Sequence, residues 1–247
     1  MEMVEKISEL KKICQVWEPR TYSEKFYRNI SIYITKLLLY TPITPNQTTL
    51  LFAIAATVAG IFFIFGNYIL SIFGALMVQL YYVLDSCDGE IARYMKKTSI
   101  FGDYFERICH KILDPFIFLC ISIGVYRNSQ NVIHFIFGFT AGISLLLIRL
   151  ADSELSASID YFSNKQESAR TNVDVPNESE NSKLLTFLKE TYTKTIARFD
   201  LMGLIGVIII IGAFLNVMRF ALYTSAVLLA LVVFGCICNN AILVRGK

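Results

Sequence analysis

Charge is scarce in this chain. Only 17% of its 247 residues are Asp, Glu, Lys or Arg, against 55% hydrophobic ones, and the mean hydropathy is +0.53. That balance does not suit a soluble domain and belongs to a polytopic membrane protein. Paired cysteines are also missing. Cys14, Cys87, Cys109, Cys120, Cys236 and Cys238 are scattered without a CxxC, and the last two sit in an apolar stretch with no His or carboxylate beside them. Such spacing argues against a disulfide framework or a zinc site and for reduced thiols in lipid or cytoplasm. The opening MEMVEKISELKKICQVWEPR mixes charges and has neither the apolar core nor the small-residue cleavage site of a secretory leader, so no cleaved signal peptide is expected. There is no internal repeat, and no nucleic-acid partner is expected.

What the chain has in abundance is long apolar runs. A helix needs about 20 apolar residues to cross the hydrocarbon core, and six stretches approach that length: 48–66, 68–85, 108–126, 132–150, 199–216 and 220–244. The third is interrupted at its start by His110, Lys111 and Asp114, which requires a face buried in protein. Between spans, the Gly66–Asn67 turn carries no positive charge, and the other two connections on that side contribute Arg127 and Arg219 alone. All other Lys and Arg residues fall on the opposite side, so both termini are expected in the cytoplasm. Ahead of the spans, Thr21–Leu39 places Phe26, Ile30, Ile34 and Leu37/Leu38 at helical spacing with Lys25, Arg28 and Lys36 elsewhere on the wheel. This pattern suits an interfacial amphipathic helix, and an ordinary cytoplasmic helix is the alternative. Ser163–Ser182 is polar, poor in apolar residues and contains Pro176, as a flexible loop would be. The expectation is therefore an all-α membrane protein. Residues 1–42 form a cytoplasmic N-terminal part with the amphipathic helix, and 43–247 a six-helix domain with a flexible cytoplasmic loop at about 155–192.

The charges that remain are concentrated in DSCDGEIARYMKKTSIFGDYFERICHKILDP, Asp85–Pro115. Residues three or four apart share a helix face, so Asp85 and Asp88 point one way, as do Glu106, His110 and Asp114 on the next segment. Packed side by side, the two helices bring Asp85, Asp88, Glu106 and His110 to one point. Concentrated negative charge near a bilayer calls for a hard divalent cation with oxygen ligands, Mg2+ or Mn2+, which in turn would hold the phosphates of a nucleotide substrate. Gly89 and Ala92 keep the helix wall thin, Arg93 is a fixed cation suited to phosphate, and Gly102 begins the following helix without a side chain.

The spacing Asp85-x2-Asp88-Gly89-x2-Ala92-Arg93-x8-Gly102-x3-Glu106-x3-His110 resembles the signature of the CDP-alcohol phosphotransferase (CDP-alcohol phosphatidyltransferase) family, D-x2-D-G-x2-A-R-x8-G-x3-D-x3-D. TPNQTTL at Thr44–Leu50 is similar to the Pro-Asn-x-x-Thr opening the family's first membrane helix, so that the likeness covers roughly 40–245. The resemblance implies transfer of a phosphoalcohol group from a CDP-alcohol, CDP-diacylglycerol foremost, to a hydroxyl acceptor with release of CMP, in phospholipid synthesis and in a homodimer. Carried over, Asp85, Asp88 and Glu106 become metal ligands, His110 a candidate base beside the metal, and Arg93 a phosphate contact. Gly89, Ala92, Gly102, Asn46 and Thr48 would line the nucleotide pocket. The departures are Glu106 and His110 in place of the last two aspartates. An imidazole can still take a hydroxyl proton at neutral pH, yet it removes a negative charge. Asp114, one turn on, either orients that imidazole or supplies the charge, or else it caps a helix break before Pro115. Arg149, Asp152, Glu154, Arg198 and Asp200 could line an acceptor pocket or be ordinary helix-end charges, and His134 reads as a packing residue. A degenerate, non-catalytic homologue is one competing reading. A prenyltransferase would need a second Asp-rich motif, which 151–200 lacks, and a transporter would place its ionisable residues at the bilayer midplane.

Overall fold

The computed structural model describes residues 5–19, 21–170 and 201–245. Eight helices occur there and no strand: α1 (Ile7–Cys14), α2 (Tyr22–Leu38), α3 (Pro45–Ile64), α4 (Tyr68–Tyr94), α5 (Ile100–Ser129), α6 (Ile133–Arg170), α7 (Leu201–Phe214) and α8 (Met218–Arg245). Five of them (α3, α4, α5, α6 and α8) are long and apolar enough to cross a membrane, and a shorter apolar helix lies at Gly203–Phe214. The protein is thus an integral, multi-pass membrane protein. The span expected at 199–216 is this shorter helix, and its first two residues lie outside the described ones.

Local chemistry sets the boundaries near the expected places. Pro45 opens α3, and the Gln47 side chain accepts from the Thr44 N–H at 2.8 Å. The Asn67 side chain caps α4 after a turn in which Gly66 takes φ +64°. Ser99 Oγ accepts from Gly102 N–H at 3.0 Å to start α5.

Three elements run longer than their apolar stretches. Helix α4 does not end at the paired carboxylates but continues to Tyr94, because only Gly89 in Asp85–Tyr94 disfavours helix and Cys87, Glu90 and Ile91 are buried there. Helix α5 begins at Ile100 and passes through Pro115 to Ser129, so Asp114 does not cap a break. Helix α6 continues to Arg170, into the stretch expected to be loop, since 155–170 contains neither Gly nor Pro. The remainder of that expected loop, 171–192, lies outside the described residues.

Helices α3, α4 and α5 pack together at the centre, with α6 and α8 continuing on the far side of α5 and α7 beside α4. Small residues allow the close crossings. A Cβ on Gly124 of α5 would lie 1.9 Å from the Phe63 carbonyl oxygen of α3. Gly124→Ala should therefore push these helices apart, at a cost of about 1–3 kcal/mol, visible as a lower midpoint of thermal unfolding in detergent. Gln79, inside the α4 span, is satisfied by accepting from Tyr27 Oη at 2.7 Å and donating to the Gly206 carbonyl at 3.1 Å, which ties α2, α4 and α7 together.

The N-terminal helices dock on the C-terminal half of α4 by an unusual division of faces. On α2, Tyr22, Phe26, Ile30, Tyr33 and Leu37 form an exposed apolar stripe, as an interfacial helix requires. Its buried face instead carries Tyr27, Ser31, Ile32 and Thr35. Leu10 and Cys14 of α1 close over Ile32. Tyr94 donates to Glu5 at 2.6 Å, which holds that carboxyl below its ordinary range. The cysteines at 14, 87, 109, 120 and 236 are free thiols.

Candidate active site

The continuous helices α4 and α5 bring the predicted residues together. Asp85, Glu106 and His110 each offer a ligand atom, and the three atoms lie within 4.8 Å of one another. His110 Nε2 is 2.7 Å from Asp85 Oδ1. Asp88 is one turn further along α4 and only 4% exposed, and its carboxylate accepts from Thr49 Oγ1 at 2.9 Å. Asp85 and Glu106 remain partly open, so the cluster has a buried floor of Asp88 and His110 and an accessible rim. The two carboxylates and the imidazole form an oxygen-rich donor set with one nitrogen, which fits a hard or borderline dication.

Other predicted residues surround this floor unequally. Asn46 and Gly102 meet: a Cβ on Gly102 would lie 3.2 Å from Asn46 Oδ1, so the start of α3 covers the start of α5. Ala92 is partly exposed. Thr48 is turned back to the Thr44 carbonyl at 3.2 Å, and it is its neighbour Thr49 that reaches the Asp88 carboxylate. Arg93 Nε donates to the Cys14 carbonyl, and its guanidinium lies 5.5 Å from the Trp17 ring centroid. Its terminal nitrogens cover Gly89, 3.2 and 3.5 Å from where a Cβ would stand, which is where an anion could meet them.

Asp114 does not touch His110 directly. It is 4% exposed and accepts from Arg149 Nε at 2.6 Å, with the second guanidinium contact at 2.5 Å. Its charge is therefore taken up by Arg149 and is not offered to the metal-ligating group. Tyr81, fully buried on α4, donates to Asp114 Oδ1 at 2.9 Å and also bonds His110 Nδ1. The His110 ring is stacked on Phe52 at 5.2 Å between centroids.

Comparison with known proteins gives the family. Residues 42–169, just over half of the chain, match the CDP-alcohol phosphatidyltransferase family. The chain belongs to that family. Two curated relatives named bifunctional IPC transferase and DIPP synthase are similar to it. The one from Archaeoglobus fulgidus is 34% identical over 117 residues, 47% of this chain and 23% of its own length. The one from Rubrobacter xylanophilus is 38% identical over 88 residues, 35% of this chain and 19% of its own. The chain thus spans a minor part of the length of the curated relatives it matches. Among solved structures, the Mycobacterium tuberculosis phosphatidylinositol phosphate synthase with CDP-DAG bound superposes with a TM-score of 0.60 over 88% of this chain and 94% of that one. At 15% identity this likeness shows a shared fold.

Thr49, Tyr81 and Glu90 are the site-proximal residues that motif spacing does not single out. Thr49 could have been found as the second hydroxyl of the TT pair. Tyr81 lies one helical turn before Asp85 on the same face, a signal submerged in the apolar run YYVL. Arg149 was legible as a span-end charge, but its partner was not. Of the other candidate acceptor residues, Glu154 is exposed, while Arg198, Asp200 and the Asp152 side chain lie outside the described residues. His134 packs as expected, its ring 5.6 Å from Tyr223 and Nδ1 2.8 Å from the Tyr223 hydroxyl.

Proposed function

We propose that the protein moves a phosphatidyl group from CDP-diacylglycerol to the hydroxyl of a polar acceptor and releases CMP, with Mg2+ or Mn2+ held by Asp85, Asp88 and Glu106 at the cytoplasmic face of the membrane. The observation that carries this reading is the convergence of Asp85, Glu106 and His110 within 4.8 Å on adjoining helices that also carry the family motif. The CDP-DAG in the structural neighbour and the transferase names of the relatives support the donor class.

When bound, the cation would draw charge from the donor's diphosphate and steady CMP as it leaves. Nε2 of His110 takes the acceptor's hydroxyl proton while the acceptor oxygen bonds to the phosphatidyl phosphorus and the bond from that phosphorus to CMP breaks. Arg93 faces the phosphates over Gly89, and Asn46, Ala92 and Gly102 wall the nucleotide. The distribution of Lys and Arg supports cytoplasmic termini, and the family resemblance supports a homodimer.

The test is CMP release by purified protein in detergent, with CDP-diacylglycerol or a CDP-choline-type donor and a pool of polar alcohols, with Mg2+, Mn2+ or EDTA. Metal-dependent release that falls at least about a hundredfold in His110→Ala is the expected result. Failure of the folded protein to release CMP from any donor would leave a degenerate homologue as the better account.

A further inference from the structure

We infer that Tyr81 is a positioning residue, the relay through which the part-buried Arg149–Asp114 ion pair fixes which nitrogen of His110 faces the carboxylates. This rests on the reading of His110 as the proton acceptor, and it follows from counting donors and acceptors.

Arg149 carries a charge that it does not lose, and at 2.5 and 2.6 Å it holds Asp114 as a carboxylate. A carboxylate only accepts hydrogen bonds. Tyr81 has a single hydroxyl hydrogen and two partners, Asp114 Oδ1 and His110 Nδ1. The hydrogen goes to Asp114, so the phenol oxygen is left to accept and Nδ1 must supply the hydrogen. Nε2 faces Asp85 and Glu106, and because a carboxylate only accepts, its 2.7 Å contact with Asp85 Oδ1 places a hydrogen on Nε2 as well; Nε2 would be free to take a proton where Asp85 is drawn to a cation. Stacking on Phe52 limits rotation of the ring out of this arrangement.

The chain of contacts crosses three helices: Asp85 and Tyr81 on α4, His110 and Asp114 on α5, and Arg149 on α6. It performs the task of the aspartate behind the histidine in hydrolase triads, with a phenol interposed. It also explains how a histidine can stand where the family signature has an aspartate. An imidazole has two different edges and needs its orientation set, whereas a carboxylate does not.

The experiment is nitrogen NMR of ring-labelled histidine in detergent, in a His134→Gln background that leaves His110 alone. Neither metal nor substrate is added, so the outcome is independent of the proposed reaction. A protonated-type Nδ1 signal is expected in that parent. Asp114→Asn should move the signal by several ppm although Asp114 does not touch the ring, because the amide oxygen stays with Arg149 and its N–H turns to Tyr81. In a Tyr81→Phe background the response to Asp114→Asn should vanish. An unprotonated Nδ1 in the parent would overturn the inference without involving any variant at the site. So would an Asp114→Asn response of equal size with and without Tyr81, or no response at all. In the CMP assay, Tyr81→Phe should lower kcat about a hundredfold and leave the donor KM unchanged.

Discussion

Replacing Asp88 with alanine should stop metal-dependent CMP release, a loss of about a thousandfold, while the protein in EDTA remains folded and no less heat-stable than the parent. The two halves of this expectation have one cause. Asp88 is 4% exposed, and among the described residues the Thr49 hydroxyl is its one side-chain donor. Asp85 and Glu106, both acidic, are its electrostatic neighbours. A buried carboxylate beside like charges is costly unless a cation compensates it. Removing it relieves repulsion in the metal-free protein and removes a ligand from the loaded one. A conventional structural carboxylate would behave in the opposite way, losing stability and keeping activity. Thermal unfolding in EDTA and in Mg2+, beside the CMP assay, separates the two. The parent should gain stability from Mg2+ and the variant should not. A variant that unfolds early in EDTA would show that Asp88 is held for packing.

The legibility of this site in the sequence follows the distance over which each interaction acts. Asp85, Asp88, Glu106 and His110 are spaced by helical turns, and helical spacing is local, so their shared faces could be read directly. The apolar runs gave the spans for the same reason. The lengths of α4, α5 and α6 could not be read from hydropathy, because each leaves the apolar stretch and continues as a helix buried against protein or projecting beyond it. Tertiary partners were less legible still. Asp114 was correctly placed on the face of His110, but only the position of Arg149 on α6, 35 residues away, decides that its charge goes to a guanidinium and its influence on the ring passes through Tyr81. Arg93 was legible as a cation suited to phosphate, while its bond to the Cys14 carbonyl depends on an N-terminal helix that no hydrophobic run announces.

Glu90 makes the same point with a larger energetic consequence. It stands in the unspecified part of the motif, between Gly89 and Ala92, and is 1% exposed. Its Oε1 accepts from Gln15 Nε2 and Ser31 Oγ, each at 2.7 Å, and its Oε2 accepts from Thr35 Oγ1 at 2.7 Å. All three donors belong to the N-terminal region, so one carboxylate on the motif helix fastens α2 and the segment leading to it. Glu90→Ala takes the acceptor from Thr35 Oγ1 and leaves Gln15 and Ser31 the Arg28 carbonyl to share. Each buried unsatisfied group costs about 1–3 kcal/mol, so a loss of about 3 kcal/mol or more is expected. It should appear as a markedly lower unfolding midpoint and as new protease cleavage near residues 15–21, between α1 and α2. Because Arg93 is tied to Cys14, loosening this region should also raise the donor KM. A compensated variant, Ser31→Ala with Thr35→Val and Glu90→Leu, removes the acceptor and two of its three donors, Gln15 Nε2 keeping the Arg28 carbonyl at 2.7 Å, and should recover most of the lost stability, since exchanging a matched polar set for apolar groups is nearly neutral. If Glu90→Ala unfolds at the parent's midpoint and resists protease equally well, the apolar contacts of Leu10, Cys14 and Ile32 hold the N-terminal helices without it. The expected result instead makes the buried carboxylate the reason that an amphipathic helix can turn its apolar stripe to the lipid and still be fixed to the motif helix.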